Sequence, residues 1–254
     1  MAIIVSIALF ALGTVVASFV GVVVARLNTG QGFVFGRSHC DACNKPLPPS
    51  ALVPVISYVA SRGRSRCCGA FLSPVSPLTE LLLGGLFAIT YHALGFSFAL
   101  LSFLLSLSLL LSLVLYDLMH QILPPPLLAI FVAMCAVTCL LLEPNFSALL
   151  DTFLVALSIA LFLALIHVFS RGRAMGLSDA PLAFGLALLV GPAAFSGFIF
   201  SFWIGAVIGI VILFSRPRGS RIGVEVPFAP FLAAGFLLAY YTQWNIFTIA
   251  AALH

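Results

Sequence analysis

Long apolar runs separated by short polar gaps make up most of this chain, and eight such runs can be distinguished. Most approach the length of about 20 residues that a helix needs to cross roughly 30 Å of membrane hydrocarbon. The sixth run is shorter and ends at Gly191-Pro192, which predicts a tilted or partial span. The runs lie at 3–25, 78–95, 97–116, 126–142, 147–169, 179–191, 193–214 and 228–251.

Composition agrees with a membrane protein. Hydrophobic residues are 63% of the 254 residues, charged residues are only 7%, and the mean hydropathy is +1.24. Soluble domains carry about 25% charged residues, so that class is excluded. The chain is therefore predicted to be all-α, a polytopic membrane helical bundle of about eight spans. No basic segment precedes the first run and no cleavage site precedes Arg26, which indicates a retained span.

One hydrophilic segment interrupts the apolar pattern. Residues 26–75 contain arginine, lysine, serine, proline and four cysteines, as expected of a small aqueous loop. The predicted organisation is a first transmembrane span at 1–25, a cysteine-containing loop at 26–75 and a transmembrane bundle at 76–254.

The basic residues indicate the orientation. If the gaps between spans alternate between the two faces, all 11 Lys and Arg residues fall on the face of the 26–75 loop, and the opposite gaps hold Glu143. Lys and Arg concentrate on the cytoplasmic side of membrane proteins. This places the loop in the cytoplasm and both termini outside. The net charge of +4 then reflects topology and anionic lipid, not nucleic acid, for which no motif is present.

Two aspartates stand at the ends of apolar runs. Asp117 follows the third run, Asp179 begins the sixth, and the charge pattern puts both on the cytoplasmic side. An ionisable group at a membrane helix is costly and by default functional. Two carboxyls within a few ångströms do not both ionise near neutral pH, so one can act as base and the other as acid while water attacks a peptide bond. Gly176 would let backbone approach a substrate closely.

Other interpretations of the pair remain open at this point. A single aspartate at a helix end is commonly a helix cap or an interfacial anchor. A pair on one face is also what a proton-linked transporter would use, and a non-enzymatic assembly factor could retain it. Residue patterns alone do not separate these from a protease.

Five segments, in order, resemble the prepilin leader peptidases, membrane aspartyl proteases of the GxGD type. The segment from Asp117 to Pro124 is similar to the first aspartate motif, and Met175 to Asp179 occupies the place of the Gly-x-Gly-Asp motif. The others are Leu52 to Tyr58 followed by Arg62-Gly63-Arg64, Ser76-Pro77-Leu78-Thr79-Glu80, and Pro227-Phe228-Ala229-Pro230-Phe231.

The resemblance implies a specific reaction. Members cleave leader peptides of type IV prepilins or type II secretion pseudopilins after a glycine, at the cytoplasmic face of the bacterial inner membrane. Asp117 and Asp179 would be the catalytic pair, supported by Gly176. Proteolysis would need no cofactor. Many members also methylate the new N-terminus with S-adenosylmethionine, an activity associated with the first loop.

The cysteine loop departs from its relatives. Cys40 and Cys43 form a CxxC pair, and the family usually supplies a second pair about two dozen residues later, which suits tetrahedral zinc. Here Ser65 stands where the third cysteine would lie, and Cys67 is displaced beside Cys68. The candidate ligands are therefore Cys40, Cys43, Cys67 and Cys68. A loop of reduced thiols without metal is the alternative.

Further departures lie near the second aspartate. Ser178 replaces the second glycine of the motif, which is expected to narrow access beside Asp179, and Pro181 stands where relatives often carry lysine. Glu80 is expected to cap a helix or to pair with one of the loop arginines. His120 is interpreted as an exposed interfacial residue, and His167 is isolated from any metal-binding spacing.

Overall fold

The computed structural model describes residues 2–27, 40, 42–43, 45–46, 48, 53–173, 175–215 and 226–244. Predictions that concern residues 28–39, Asp41, Leu52, the arginines at 216, 218 and 221, or the last apolar run beyond residue 244 lie outside the described residues. The helices are α1 (Ala2–Arg26), α2 (Ile56–Ala60), α3 (Val75–Leu94), α4 (Phe98–His120), α5 (Pro125–Leu142), α6 (Phe146–Phe169), α7 (Asp179–Val190), α8 (Ala194–Ser215) and α9 (Ala229–Thr242).

Each of the eight apolar runs contains a helix, and the described residues form no strand, which confirms the all-α prediction. Six helical stretches are long and apolar enough to cross a membrane. One of them joins α7 to α8 through a single 3-10 turn, Gly191–Ala193. By itself α7 has 12 residues and is about 18 Å long. The short sixth run is therefore a helix shorter than the bilayer hydrocarbon, as expected of the predicted tilted or partial span.

The chain divides into two compact units, and the first is Met1–Ser112. Within it α1 packs along α3 at a pair of glycines. A Cβ at Gly13 would lie 2.8 Å from the Gly84 Cα, and one at Gly84 would lie 2.9 Å from the Phe10 carbonyl oxygen. Small residues at such positions let membrane helices approach closely. The contact buries Val24, Leu83 and the neighbouring apolar side chains.

The second unit, Leu113–His254, is built around α7. This helix packs against α5, α6, α8 and α9, and ten of its 12 residues are buried. Gly185 lets it approach α5, because a Cβ there would lie 2.8 Å from the Phe131 ring. A helix that is apolar all round belongs in such a central position. Its one charged residue, Asp179, is its first, so the carboxyl lies at the mouth of the bundle.

Turn chemistry places the other aspartate, Asp117, near the end of a helix in the same unit. Helix α4 ends at His120, and Gln121 takes a left-handed conformation with φ of 56°. Prolines 124 and 125 then start α5, since proline cannot continue the preceding helix and is suited to a first turn. Asp117 is therefore held in the last turn of α4.

Candidate active site

A cavity of about 470 Å³ opens in the second unit, and both predicted aspartates line it. Its walls come from the end of α4 and the turn after it, from the loop before α7, and from the start of α9. The lining residues are Asp117, Gln121, Ile122, Leu123, Gly172, Arg173, Met175, Gly176, Ser178, Asp179, Val226, Pro227 and Phe228. The structure thus brings together Asp117, Asp179 and Gly176, which are 62 positions apart at most in the chain.

Asp117 is buried, with 7% of its surface exposed. The C-terminal turn of a helix disfavours a negative charge. The start of α9 offsets this, because the backbone N–H of Ala229 donates a hydrogen bond to Asp117 Oδ2 at 3.2 Å. Ala229 is the first residue of α9, so the positive end of that helix is directed at the carboxylate.

Asp179 is held in an analogous way. It is 8% exposed and is the first residue of α7, where the helix dipole favours a carboxylate. The backbone N–H of Gly176 donates to its Oδ2 at 3.2 Å. Each aspartate therefore has one oxygen bonded by a backbone amide, from the first residue of α9 for Asp117 and from the loop before α7 for Asp179. Both carboxyls are nevertheless largely withdrawn from water.

The two carboxyls interact with each other. Both carboxyl groups line the same cavity, so a negative charge on one disfavours ionisation of the other. Arg173 is the basic side chain among the described lining residues, and it is exposed at the rim. A desolvated pair of like charges is the arrangement in which one carboxyl keeps its proton while the other is a base. Such a pair can supply a general base to an attacking water molecule and a general acid to the carbonyl oxygen of the bond under attack.

His120 lies apart from this chemistry. Its ring packs on Tyr116, with 4.4 Å between the ring centroids, and its side chain is exposed and does not line the cavity.

Two features of the cavity were not predicted from the sequence: the hydrogen bond from the Ala229 N–H to Asp117, and the presence of Arg173 in the lining. The segment from Pro227 to Phe231 was singled out by its similarity to the family, but nothing in it signals which atom approaches Asp117.

The backbone at position 178 does not require glycine. Its φ is −68°, a conformation open to any residue, so serine replaces the motif glycine without backbone strain. Gly176 is different, because a Cβ there would lie 3.5 Å from Asp179 Oδ2, inside the cavity.

Replacing Gly176 with alanine is therefore expected to lower kcat/KM about tenfold by placing a methyl group beside the reacting atoms. Thermal stability should be unchanged, since 3.5 Å is an ordinary contact. Cleavage kinetics and a thermal unfolding curve measure the two effects. The matched control is Gly209→Ala in α8, where an added Cβ meets open space. Equal activity of both variants would contradict a role for Gly176 in letting the substrate approach Asp179.

Comparisons with known proteins bear on this site. A family model described as the bacterial peptidase A24 N-terminal domain matches residues 11–94. The chain is 31% identical over 255 residues to a prepilin leader peptidase/N-methyltransferase of Burkholderia pseudomallei, covering 88% of this chain and 81% of the relative. The chain belongs to the prepilin leader peptidase/N-methyltransferase family. The family predicted from the motifs is thereby confirmed, and the chain is an integral membrane enzyme.

Two further members of the prepilin leader peptidase/N-methyltransferase family are similar over most of the chain. The Bacillus subtilis protein is 29% identical over 235 residues, 91% of this chain and 92% of its own. The Myxococcus xanthus protein is 35% identical over 216 residues, 83% of this chain and 64% of its own. No solved structure matches the chain.

The four loop cysteines of this family member lie together in the first unit. The sulfur atoms of Cys40, Cys43, Cys67 and Cys68 are all within 4.8 Å of one another. The Sγ atoms of Cys40 and Cys68 are 3.7 Å apart, and those of Cys43 and Cys67 are 3.2 Å apart. Four thiolates about 2.3 Å from a tetrahedral zinc ion lie about 3.8 Å from one another, so the cluster fits zinc.

Two turns of the same design build this cluster. The N–H of Cys40 donates to the Lys45 carbonyl at 2.9 Å, and the N–H of Ser65 donates to the Ala70 carbonyl at 2.7 Å. Ser65 therefore occupies the position in the second turn that Cys40 occupies in the first. The Ser65 hydroxyl is buried, 3.2 Å from Cys40 Sγ and 3.0 Å from Cys67 Sγ. Cys67 has therefore taken the fourth sulfur position, and serine borders the cluster.

Hydrogen bonding divides the thiols. The Ser65 hydroxyl, followed by backbone N–H groups of Ala42 and Cys43, lowers the pKa of Cys40 to about 6. The neighbouring Cys67 thiol raises the pKa of Cys43 to about 12. The lowered pKa of Cys40 favours its thiolate, and thiolates are the form that binds metal.

Glu80 has a structural role different from the predicted ion pair. It is 4% exposed; its Oε2 accepts a 2.7 Å bond from the Val55 N–H, and its Oε1 accepts one from the Ser76 hydroxyl at 3.2 Å. Val55 precedes α2 with a positive φ of 57°. The prediction of a pair with Arg62, Arg64 or Arg66 finds no support among those described residues, and Glu80 instead anchors a strained turn.

Proposed function

We propose that this chain is a membrane aspartyl endopeptidase that cleaves the leader peptides of type IV prepilins or pseudopilins after a glycine. Asp117 and Asp179 are the acid and base. The observation that carries the proposal is that two buried carboxyls from distant parts of the chain line one cavity, each fixed by a backbone amide. The names of the curated relatives supply the substrate class.

The reaction follows from the arrangement of oxygens. Backbone amides engage Oδ2 of both aspartates, so Oδ1 is the oxygen left for water and substrate. The ionised aspartate takes a proton from water as that water attacks the scissile carbonyl, and the protonated aspartate donates to the carbonyl oxygen. Collapse of the tetrahedral intermediate then breaks the C–N bond, and the amine leaves with a proton returned from the dyad.

The proposed site faces the cytoplasm at the bacterial inner membrane. The supporting observation is the distribution of basic residues, all 11 of which fall on the face that carries Asp117 and Asp179 when gaps alternate between eight spans. Exposed apolar side chains on the remaining surface would contact membrane lipid.

An apolar groove beside the catalytic cavity is proposed to hold the substrate's own membrane helix. The groove has a volume of about 620 Å³ and lies between α5, α6 and the first turn of α7. Ser178 lines both the groove and the catalytic cavity, so a helix in the groove would carry its N-terminal end past Asp179. Ala160 and Ala164 form part of its wall, and small residues favour close helix packing.

Filling this groove should weaken substrate binding. Ala164→Phe is expected to raise KM for a full-length prepilin about tenfold with little change in kcat, because the lost contact is made equally in ground and transition states. Ala129→Phe is the matched control, since Ala129 is exposed on α5 and does not line the groove. A short soluble peptide with the same junction should be cut equally by all three proteins. An unchanged KM for the full-length prepilin would rule out the groove as the docking site.

The cysteine cluster is proposed to hold one zinc ion through Cys40, Cys43, Cys67 and Cys68. When bound, the ion supplies structural cross-linking of the two turns rather than catalysis, because four protein ligands leave no open position. Proteolysis by the aspartates uses no metal.

N-methylation is the second proposed activity, with S-adenosylmethionine as methyl donor. Its support is the full name of the relatives. Incubation of cleaved prepilin with the protein and S-adenosylmethionine should add the mass of one methyl group at the new N-terminus. Cleaved product that stays unmethylated under these conditions would exclude it.

The proposed peptidase activity is tested with the full-length protein in membranes and a prepilin carrying a Gly-Phe junction. The expected product begins at the residue after glycine, as N-terminal sequencing would show. A precursor that remains intact, or is cut elsewhere, would overturn the proposal.

A further inference from the structure

His167, isolated in the sequence, is joined to the catalytic cavity by the fold. It lies near the end of α6, half-buried, and its ring Nδ1 is 2.9 Å from the carbonyl oxygen of Met175. A carbonyl oxygen accepts hydrogen bonds and never donates, so Nδ1 must carry the proton. This contact therefore requires a proton on Nδ1.

The amide bonded by His167 is the same amide that holds the catalytic carboxyl. The carbonyl of Met175 and the N–H of Gly176 belong to one peptide group, and that N–H donates to Asp179 Oδ2 at 3.2 Å. A hydrogen bond to the carbonyl of an amide polarises the group and strengthens its N–H as a donor. His167 thus acts on Asp179 through a single rigid peptide plane.

The surrounding loop is shaped to present the ring. The Gly172 N–H donates to the His167 carbonyl at 2.9 Å, and Gly172 has a φ of 75°. A Cβ at Gly172 would lie 3.3 Å from the imidazole Cε1, so glycine leaves the ring its place. The loop from α6 to α7 is folded around His167.

We propose that His167 is a positioning residue for the peptidase reaction, which fixes the Met175–Gly176 peptide and through it the Asp179 carboxylate. The inference rests on the proposed function of Asp179. It assigns a task to a side chain that does not touch the cavity itself.

The kinetic test compares two substitutions. His167→Phe keeps a planar ring but removes the donor, and His167→Asn keeps an N–H near the position of Nδ1. Loss of one hydrogen bond to a catalytic peptide is expected to lower kcat about tenfold in His167→Phe, with KM nearly unchanged. His167→Asn should recover most of that loss. Wild-type kcat in His167→Phe, or equal losses in both variants, would overturn the proposal.

A second measurement does not depend on the variants folding. In protein labelled with ¹⁵N-histidine, the His167 ring resonances should show a protonated Nδ1. These resonances are assigned by their absence from the spectrum of His167→Asn. If that variant does not accumulate, specific backbone labelling provides the assignment. An unprotonated Nδ1 would overturn the proposal. Failure of the wild-type protein to cut prepilin would instead refute the proposed function, so the two failures are distinguishable.

Discussion

Asp117→Asn and Asp179→Asn should each leave prepilin essentially uncut. Asparagine has the shape of aspartate, but its amide can neither take a proton from water nor donate one as an acid. Loss of general acid or base catalysis lowers rates by about 10²–10⁴-fold, and the lost charge disturbs the partner carboxyl as well. The effect is measured as the fraction of precursor that each full-length variant protein converts, followed by gel electrophoresis and mass spectrometry.

Asp151→Asn is the matched control for these substitutions. Asp151 lies in α6, is exposed and does not line the cavity, so its variant should cleave at the wild-type rate. The double variant Asp117→Asn/Asp179→Asn should be no worse than either single one, because residues that act as a unit are not additive. A single variant that processes prepilin at the wild-type rate would remove that aspartate from the mechanism.

Cys67→Ser is expected to weaken zinc binding about a hundredfold, in line with the several kcal/mol that each thiolate contributes to a structural zinc site. Cys67 supplies the sulfur that Ser65 lacks, 3.2 Å from Cys43 Sγ. The double variant Ser65→Cys/Cys67→Ser should restore binding, because residue 65 occupies the position in the second turn that Cys40 has in the first. Metal content and the thiolate absorption of the cobalt-substituted protein provide the readout.

Cysteines elsewhere in the chain provide the control for the metal experiment. Cys135 and Cys139 are buried within α5, and their alanine variants should keep the wild-type metal content. Their burial is typical of cysteines that act as small packing residues. Unchanged zinc affinity in Cys67→Ser would show that Cys67 is not a ligand, and a wild-type protein without metal would refute the site.

Much of the fold was accessible from the pattern of apolar residues. In lipid every backbone polar group must be satisfied internally, so a long apolar run has almost no alternative to a helix. Each of the eight predicted runs is helical for this reason. The short run at 179–191 was also recognisable from Gly191-Pro192, and the structure ends α7 at Gly191 with a φ of 58°.

The contacts that complete the candidate site could not be predicted from the pattern of apolar residues. Ala229 reaches Asp117 from 112 positions away in the chain and does so with a backbone N–H, which leaves no mark in residue types. His167 was set aside because no metal-binding spacing includes it. Its contact with the Met175 carbonyl depends on how the loop from α6 to α7 folds back. For Glu80 the sequence predicts a helix cap or an ion pair with a loop arginine, whereas its carboxylate accepts a hydrogen bond from the Val55 backbone.

By itself the sequence determined that this chain is a helical membrane protein and which four thiols are available in one loop. It also predicted that two carboxyls stand at the same membrane face. Those properties follow from local chemistry, since hydropathy, charge and turn residues act over a few positions. Only the tertiary structure decided that the two carboxyls share a cavity, which amides hold them, and that the four sulfur atoms lie within 4.8 Å of one another. These depend on contacts between segments far apart in the chain, which packing alone brings together.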